Sequence, residues 1–301
     1  MSVPKSRTCA QMPVHYLMAE TVSGYREQRL KVDEECLRLI GAGTAARAMN
    51  RQLTIKCVVH VVYRTDDENI SDAQVKSQIK VLNQDFSASN PDRKNIPGVW
   101  QGLVADAKIA FELAKTDPSG KRTSGITRTK TAVKSFGVDD SVKSSKVGGV
   151  DPWTTTKYLN FWVCALGQGL LGYGQFPGGP AKTDGVVILN QAFGTTGTAA
   201  APFDRGRTAT HEIGHFLNLR HIWGDRNDCT GSDRVSDTPA AKEPNGGVPT
   251  FPHISCNNGP NGDMFMNYMD YVDDAAMFMF TPGQVERMNA TLAGPRKGLV
   301  G

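Results

Sequence analysis

The sequence predicts an α+β fold of the α/β/α type, in which a twisted, mostly parallel sheet precedes a loop-rich C-terminal part. Between about residues 53 and 217, a strand-like segment is followed by a helical segment, by further strand-like segments and by a second helix. Residues 159–166 are apolar at almost every position, which is typical of a strand covered on both faces of a sheet. After Asn218 the chain is rich in loop-forming residues and contains one more helical segment.

The first elements precede and open this sheet. Residues 16–40 are charge-rich and predict a helical segment, and residues 41–51 are small and flexible enough to form a linker with a cleavage site. A strand is expected from about Leu53. A helix should follow, with Ser71 or Asp72 as its N-cap. Its apolar positions then fall on one face: Val75, Ile79, Leu82 and Phe86.

The remaining elements complete the sheet and lead to the C terminus. Further strands are expected at 109–113, 159–166, 171–176 (a short edge strand) and 185–189. The polar segment 116–150 predicts a long surface excursion. A helix is expected from about Thr208, and a last one at 282–293, where Thr281-Pro282 is a typical helix start.

The most specific motif lies in the helix expected from Thr208. His211 and His215 are four residues apart and share one helical face, so both imidazoles can bind one Zn²⁺. Glu212 is placed to reach a water molecule as a general base. His221 can reach the same ion only if the helix ends and the chain turns back, and Asn218 suits the left-handed conformation of such an end. Three imidazoles leave Zn²⁺ an open position, as in a catalytic site.

A second motif, Asn-Tyr-Met-Asp-Tyr at 267–271, follows the third histidine. The long histidine motif and a later methionine turn are marks of metzincin metalloproteases. This chain has Asn218 where most metzincins have glycine. With the His-x-Trp-Gly-Asp run at 221–225, it most resembles the pappalysin family, over about residues 53–290.

The resemblance implies a metzincin-type catalytic domain over residues 52–301. Its upper subdomain would span about 52–218 and contain the zinc-binding helix. Its lower subdomain would span about 219–301 and contain the methionine turn. Met269 would form an apolar floor beneath the zinc ligands, without binding the metal.

The resemblance also implies a zinc-dependent endopeptidase. Glu212 would be the general base. Tyr271, two residues after the methionine, would donate a hydrogen bond to the oxyanion, although plain core packing is an alternative for this side chain. The edge strand containing Gly172, Tyr173 and Gly174 could pair with an extended peptide substrate.

Residues 1–51 precede the catalytic domain and are interpreted as a propeptide. Cys9 lies in an Arg-x-Cys motif that begins at Arg7. Some pappalysins use a similar motif to block the zinc ion, and thiolate is a good zinc ligand. The alternative is an incidental thiol.

Two aspartates, Asp273 and Asp274, follow the methionine turn, which forms a wall of the S1′ pocket in metzincins. A carboxylate there would pair with a basic P1′ side chain. Because small pappalysins cut before Arg and Lys, we expect that preference here, with Asp274 as the pocket acid. The alternative is that both aspartates are solvated or cap a turn. With the expected preference for Arg and Lys, the bonds Ala46–Arg47 and Asn50–Arg51 would allow self-processing.

The loop after the third histidine is dense in oxygen donors, which suit Ca²⁺. It could equally be a solvated acidic loop, but the resemblance favours calcium. The candidate ligands are Asp225, Asp228, Asp233, Asp237 and Thr238.

The chain contains six cysteines and no Cys-x-x-Cys pair, which disfavours a cysteine-based zinc site. A disulfide between Cys229 and Cys256, across a Gly/Pro/Asp-rich loop, is expected from the resemblance. Cys57 and Cys164 lie in apolar strands, where buried free thiols are at least as plausible as a pair. The pairing of Cys36 stays open.

Composition sets further bounds. The formal net charge of the 301-residue chain is +4, and no dense Lys/Arg block indicates nucleic-acid binding. The sequence contains no run of about 18 apolar residues, which a membrane-spanning helix would require. The first residues lack the apolar core of a signal peptide, so the secretion implied by the resemblance would require either a signal peptide that has been removed, which we favour, or an atypical route of export.

Protein or peptide substrates are therefore the expected partners, with Zn²⁺ as catalytic cofactor and Ca²⁺ as structural one. Two alternatives keep the same fold: a catalytically weak peptide-binding protein, and a zinc hydrolase of non-peptide amides. The intact Glu212 and all three histidines disfavour the first alternative. The edge strand at 171–176 disfavours the second, since it suits an extended peptide.

Overall fold

The computed structural model describes residues 3–45 and 51–300. Its helices are α1 (Gln11–Thr21), α2 (Tyr25–Gly41), α3 (Asp72–Phe86), α4 (Gly98–Gln101), α5 (Arg207–Phe216) and α6 (Pro282–Ala293). Its strands are β1 (Leu53–Tyr63), β2 (Ile109–Leu113), β3 (Ile126–Lys130), β4 (Leu159–Cys164), β5 (Gly172–Gly174), β6 (Val186–Leu189), β7 (Gly246–Gly247) and β8 (Tyr271–Val272).

The main sheet has the strand order β2-β1-β4-β6-β5. β1 is long enough to pair with β2 through its first half and with β3 through its second half. All of these pairings are parallel, except that β5 is antiparallel to β6. The predicted mostly parallel sheet with a short edge strand is therefore confirmed.

Both faces of the sheet are covered, which explains its apolar strands. On one face, α3 and α5 enclose the main core, which includes Val59, Phe161 and Ile213. On the other face, α1 and part of the 131–150 segment pack on buried side chains such as Trp162 and Tyr173. Burying apolar surface on both sides is the main stabilising contribution to such a layered fold.

Two expectations from the sequence are corrected by the structure. The 116–150 segment is not only a surface excursion, because residues 126–130 form β3 and Phe136 and Val142 are buried. β3 is polar (Ile-Thr-Arg-Thr-Lys) and joins the sheet through its backbone, so its hydrophobic pattern is weak. The helical segment expected at 16–40 is two helices, α1 and α2, separated at Gly24, whose φ of +73° is unfavourable for other residues.

The chain after α5 forms the predicted loop-rich part. A disulfide joins Cys229 to Cys256, as expected, and β7 pairs with β8 in a two-residue ladder. α6 begins at Pro282 because Thr281 and Gln284 form a capping box. In the part of the chain that the structure describes, no helix has the length and apolarity needed to cross a membrane.

Candidate active site and metal centre

Helix α5 presents the first two histidines and then ends where the sequence predicted. Every residue of α5 is buried. The loop that carries Met269 packs closely against α5 at Gly214, where a Cβ would lie only 2.3 Å from the Sδ atom of Met269. Asn218 has a φ of +74°, and the next amide, that of Leu219, donates to the carbonyl of Gly214 at 2.9 Å. The chain therefore reverses, and His221 returns to the end of the helix.

The three imidazoles meet through their Nε2 atoms. The Nε2 atom of His215 lies 3.1 Å from that of His211 and 3.0 Å from that of His221. Each Nδ1 atom has a separate acceptor: the carbonyl of Tyr268 for His211 at 2.7 Å, the carbonyl of Leu219 for His215 at 2.9 Å and a carboxylate for His221.

This arrangement fits a zinc ion. With each Nδ1 atom donating, the three Nε2 atoms present lone pairs to one another, and only a cation satisfies all three. Tetrahedral Zn²⁺ bound at about 2.0–2.1 Å separates its nitrogen ligands by roughly 3.4 Å, close to the observed spacing. Burial lowers the pKa of His211 and of His215 well below the usual range, which keeps both imidazoles neutral as ligands.

Cys9 completes this group from the N-terminal segment. Its Sγ atom and one nitrogen from each histidine all lie within 4.8 Å of one another. The thiol also donates to Oε2 of Glu212 at 3.4 Å. Burial and then the Glu212 carboxylate raise the pKa of the Cys9 thiol, so the sulfur needs a nearby cation to become thiolate.

Glu212 lies between the metal centre and the edge strand. Its side chain is buried, and burial raises its pKa to about 8. β5 approaches the helix closely at this point, since a Cβ at Gly174 would lie 2.5 Å from the carbonyl oxygen of Glu212. Gly172 is equally constrained, with 2.7 Å from such a Cβ to the Val187 carbonyl. The two glycines therefore allow an edge strand directly above the general base.

The N-terminal segment pairs with this edge strand. The amide of Ala10 donates to the carbonyl of Gly172 at 2.9 Å, and the amide of Leu171 donates to the carbonyl of Thr8 at 3.0 Å. Cys9 and Gly172 form a parallel bridge. Gly174 donates to the side chain of Gln11 at 3.2 Å, while the ring of Tyr173 is buried in the core on the far side of the sheet. The predicted peptide-binding edge thus carries a peptide segment of the same chain.

Tyr271 lies beside the histidines, and Met269 lies against the helix that carries two of them. The Tyr271 hydroxyl donates to the backbone carbonyl of Cys9 at 3.3 Å. Its ring packs against His221 and Trp223, so the side chain also contributes to packing. Burial, then Cys9 and Glu212, raise the Tyr271 pKa, which keeps the hydroxyl protonated. Met269 is fully buried against Gly214 of the zinc-binding helix.

The Asp274 carboxylate is buried and holds an arginine that sequence reasoning did not place there. Arg7 donates from Nη2 to Oδ1 of Asp274 at 2.6 Å, and both side chains are about 1% exposed or less. Its other nitrogens donate to the carbonyl of Val272 and to the hydroxyl of Thr208, both at 3.1 Å. The guanidinium also lies over the ring of Phe203, 5.0 Å from its centroid. Asp274 is therefore not solvated. Its other oxygen, Oδ2, accepts from the backbone amides of Arg205 at 2.8 Å and Arg207 at 3.2 Å, so Asp274 both pairs with Arg7 and caps the turn that starts α5.

The candidate calcium ligands separate into different environments. Asp225 is the partner of His221, accepting from Nδ1 at 2.5 Å, and so orients a zinc ligand. Asp228 is exposed and accepts from Thr230. Asp237 accepts from the hydroxyl of Thr281 and the amide of Gly283, at the start of α6.

Asp233 and Thr238 remain together. The Thr238 hydroxyl lies 2.7 Å from Oδ2 of Asp233 and 3.2 Å from the carbonyl oxygen of Val235. Burial raises the pKa of Asp233 to about 6. The sequence alone assigned Asp225 to calcium, and only its contact with the imidazole of His221 identifies its role.

Known proteins similar to this chain agree with the geometry. Residues 142–293 match the model of the peptidase M43 family, described as pregnancy-associated plasma protein-A. An extracellular metalloprotease of Arthroderma benhamiae is 30% identical over 272 residues, covering 88% of this chain and 86% of the relative. One from Pyricularia oryzae is 33% identical over 270 residues, covering 85% and 80%.

Two solved structures from Tannerella forsythia are also similar. Mature mirolysin in complex with a cleaved peptide is 50% identical, with a TM-score of 0.81, covering 83% of this chain and 96% of that chain. A promirolysin mutant is 44% identical, with a TM-score of 0.88, covering 98% and 97%.

Proposed function

The chain belongs to the M43 peptidase family of pappalysin metalloproteases, within the metzincins, and we propose that it is a latent zinc endopeptidase that cuts before Arg or Lys. The observation that carries this proposal is the occupied cleft. Cys9 completes a buried group with the three histidines beside Glu212. Two residues earlier, Arg7 fills a pocket whose acid is Asp274.

The side chains at the centre suit peptide hydrolysis. Zinc held by the three imidazoles would supply Lewis acidity toward the scissile carbonyl and activate the attacking water. Glu212 would accept a proton from that water and return it to the leaving nitrogen. Tyr271, which donates to the Cys9 carbonyl in this structure, would donate to a substrate carbonyl oxygen at the same place. β5 would hold the substrate backbone in extended form.

Latency would come from residues 1–51 acting as a propeptide, with residues 52–301 as the catalytic domain. Mature mirolysin covers 83% of this chain and promirolysin 98%, a difference of about 45 residues, which is close to the length of this segment. Cys9 would be the zinc ligand of the latent form, because its sulfur lies within the same 4.8 Å group as the histidine nitrogens.

The contacts of Arg7 support a preference for basic residues after the cut. A guanidinium in this pocket has a carboxylate, a carbonyl and a hydroxyl as acceptors, which suits its planar set of donors. Self-processing would use Ala46–Arg47 or Asn50–Arg51. Residues 46–50, which include most of both bonds, lie outside the described residues.

Calcium binding is proposed at Asp233, with the Val235 carbonyl and the Thr238 hydroxyl as further oxygen ligands. In the part of the chain that the structure describes, Asp233 has no ion pair, and its carboxylate is largely buried. A cation there would offset the cost of burying that charge. Secretion is also proposed, because relatives such as the Arthroderma benhamiae protein are named extracellular metalloproteases.

One experiment tests the enzyme and its processing together. The full chain is incubated with zinc and calcium, with Glu212→Ala as the matched control, and the N termini of the products are read by mass spectrometry. We expect new N termini at Arg47 or Arg51 in the wild type only, followed by casein digestion that a chelator stops. Zinc and peptide binding without any cleavage would favour the peptide-binding alternative, and cleavage restricted to small amides would favour the amide hydrolase.

A further inference from the structure

A second buried charge cluster joins α2 to the rest of the molecule. Asp33 of α2 is 4% exposed. Its Oδ1 atom lies 2.6 Å from Nη2 of Arg287 and 3.7 Å from Nη2 of Arg29. Its Oδ2 atom lies 2.7 Å from Nη1 of Arg234 and 3.3 Å from Nη2 of Arg220. Four guanidinium groups therefore surround one carboxylate.

Three of these arginines lie outside the proposed propeptide and come from separate parts of the catalytic domain. Arg220 lies between two zinc-binding histidines, Arg234 in the loop that follows them, and Arg287 in α6. Arg287 is 2% exposed and is held in place because its Nε atom donates to the Asn218 carbonyl at 2.7 Å. The side-chain amide of Asn218 also donates to Asp33 at 3.3 Å.

The arginine site, meaning Arg220, Arg234 and Arg287, is adapted to an anion. Within the described residues, Asp33 is the carboxylate that forms ion pairs with these three arginines. A guanidinium nitrogen of each of the three lies within 3.3 Å of an Asp33 carboxylate oxygen. Like charges held this close are unfavourable without a counterion. Removal of residues 1–51 would therefore leave a preformed site that lacks its anion.

The arginine site and Asp274 lie at opposite ends of α5, because Asp274 accepts from the amide of Arg207, which begins the helix, whereas Arg287 donates to the carbonyl of Asn218, just beyond its end. Arg7 occupies the Asp274 pocket and Cys9 lies at the metal centre, and the residues after Cys9 lead along β5 into α1 and α2. Arg29 of α2 lies over the ring of Phe176, 4.7 Å from its centroid, and donates to the Pro177 carbonyl at 2.7 Å, just beyond β5. A substrate with its P1′ residue in the Asp274 pocket would therefore extend its residues before the cut towards the arginine site.

We infer that Arg220, Arg234 and Arg287, with the amide of Asn218, form a carboxylate-binding subsite of the mature enzyme for an acidic residue upstream of the cleaved bond. In the latent chain, Asp33 occupies this subsite. The inference extends the proposed function, since it assumes that residues 1–51 are removed and that the chain then cuts peptides. The arginine site would therefore anchor the propeptide in the latent chain and select substrates in the mature enzyme.

The first test uses the full chain and does not depend on activity. Asp33→Ala should lower the melting temperature, and sodium acetate should restore it by about 2–4 °C or more. Acetamide has a similar shape but is neutral, so acetamide in sodium chloride of the same ionic strength should not restore the melting temperature. Glu34→Ala, at an exposed neighbouring position, should respond equally to both additives. Equal responses to both additives in Asp33→Ala would overturn the site, and Asp33→Ser, which also leaves space for a carboxylate, provides the same comparison if Asp33→Ala does not fold.

The second test uses the matured enzyme and peptides that contain one Ala-Arg bond. Asp is scanned along the positions before the cut, with Asn peptides as references. One position should show about tenfold higher kcat/KM for Asp, the value of a charged hydrogen bond, and Arg234→Gln should remove that ratio. Arg226→Gln, at an exposed position, should keep it. Cleavage with no Asp preference anywhere would overturn the subsite. No cleavage before Arg at all would instead count against the proposed function, and the acetate experiment would still decide the arginine site.

Discussion

Replacing Arg7 by alanine should release the latent chain even though Cys9 stays in place. Arg7 and Asp274 form a fully buried ion pair at 2.6 Å, and Arg7 donates two further hydrogen bonds. Breaking a buried ion pair from one side costs about 3–5 kcal/mol. In the proposed mature enzyme, Asp274 would also lack Arg7, so the whole cost would fall on the docking of the propeptide. The population of undocked chains should therefore rise by about 10²- to 10⁴-fold.

The assay is the initial rate at which the freshly purified, zinc-loaded full chain cleaves a fluorogenic peptide with an Ala-Arg bond. Gels taken at the same times follow the loss of the N-terminal segment. Lys5→Ala is the matched control, because Lys5 is an exposed basic residue two positions away. Arg7→Lys should give an intermediate rate, since lysine keeps the charge but loses the planar fork of donors. A lag and rate in Arg7→Ala equal to those of Lys5→Ala would refute a role for this ion pair in latency.

Four other predictions concern the general base, the cysteine at the metal centre, the Asp274 pocket and the calcium site. Glu212→Gln should keep bound zinc, measured by atomic absorption, and lose about 10²- to 10⁴-fold or more in kcat; turnover near the wild-type rate would exclude Glu212 as general base. Cys9→Ala should mature sooner than wild type on the same gels, and equal rates would exclude it as a zinc-blocking ligand. Asp274→Ala should depress cleavage before Arg and Lys far more than before apolar residues in a peptide library. Calcium should raise the melting temperature of zinc-loaded protein through binding to the native state. This rise should be smaller in Asp233→Asn and as large as in the wild type in the exposed control Asp228→Asn.

Elements with strong local signals were predictable from the sequence. α6 begins at Pro282, as expected, because a capping box is written in four consecutive residues, Thr281 to Gln284. The metal centre was equally predictable, because helix geometry alone places His211 and His215 on one face and the left-handed Asn218 ends the helix. By contrast, β3 has a polar sequence, and only its pairing with β1 makes it a strand.

The contacts that were not predicted join residues far apart in the chain. Arg7 and Asp274 are separated by 267 positions, and Asp33 and Arg287 by 254. No local pattern distinguishes such an arginine or aspartate from a solvated one. Asp225 shows the same difficulty at short range, because a carboxylate that orients a zinc ligand resembles one that binds calcium until its partner, His221, is located.

The direction of the N-terminal segment would explain how a protease with the proposed preference for arginine can hold Arg7 without cutting beside it. Cys9 pairs in parallel with Gly172 of the edge strand, and the chain runs from the Asp274 pocket past the metal centre. A substrate whose P1′ arginine fills that pocket must reach it from the metal side, and so runs in the opposite direction. The bonds near the centre therefore follow Arg7 in the chain, whereas cleavage requires the bond that precedes an arginine. The same pocket can thus bind the inhibitory segment tightly without cutting it, and recognise a substrate that enters in the other direction.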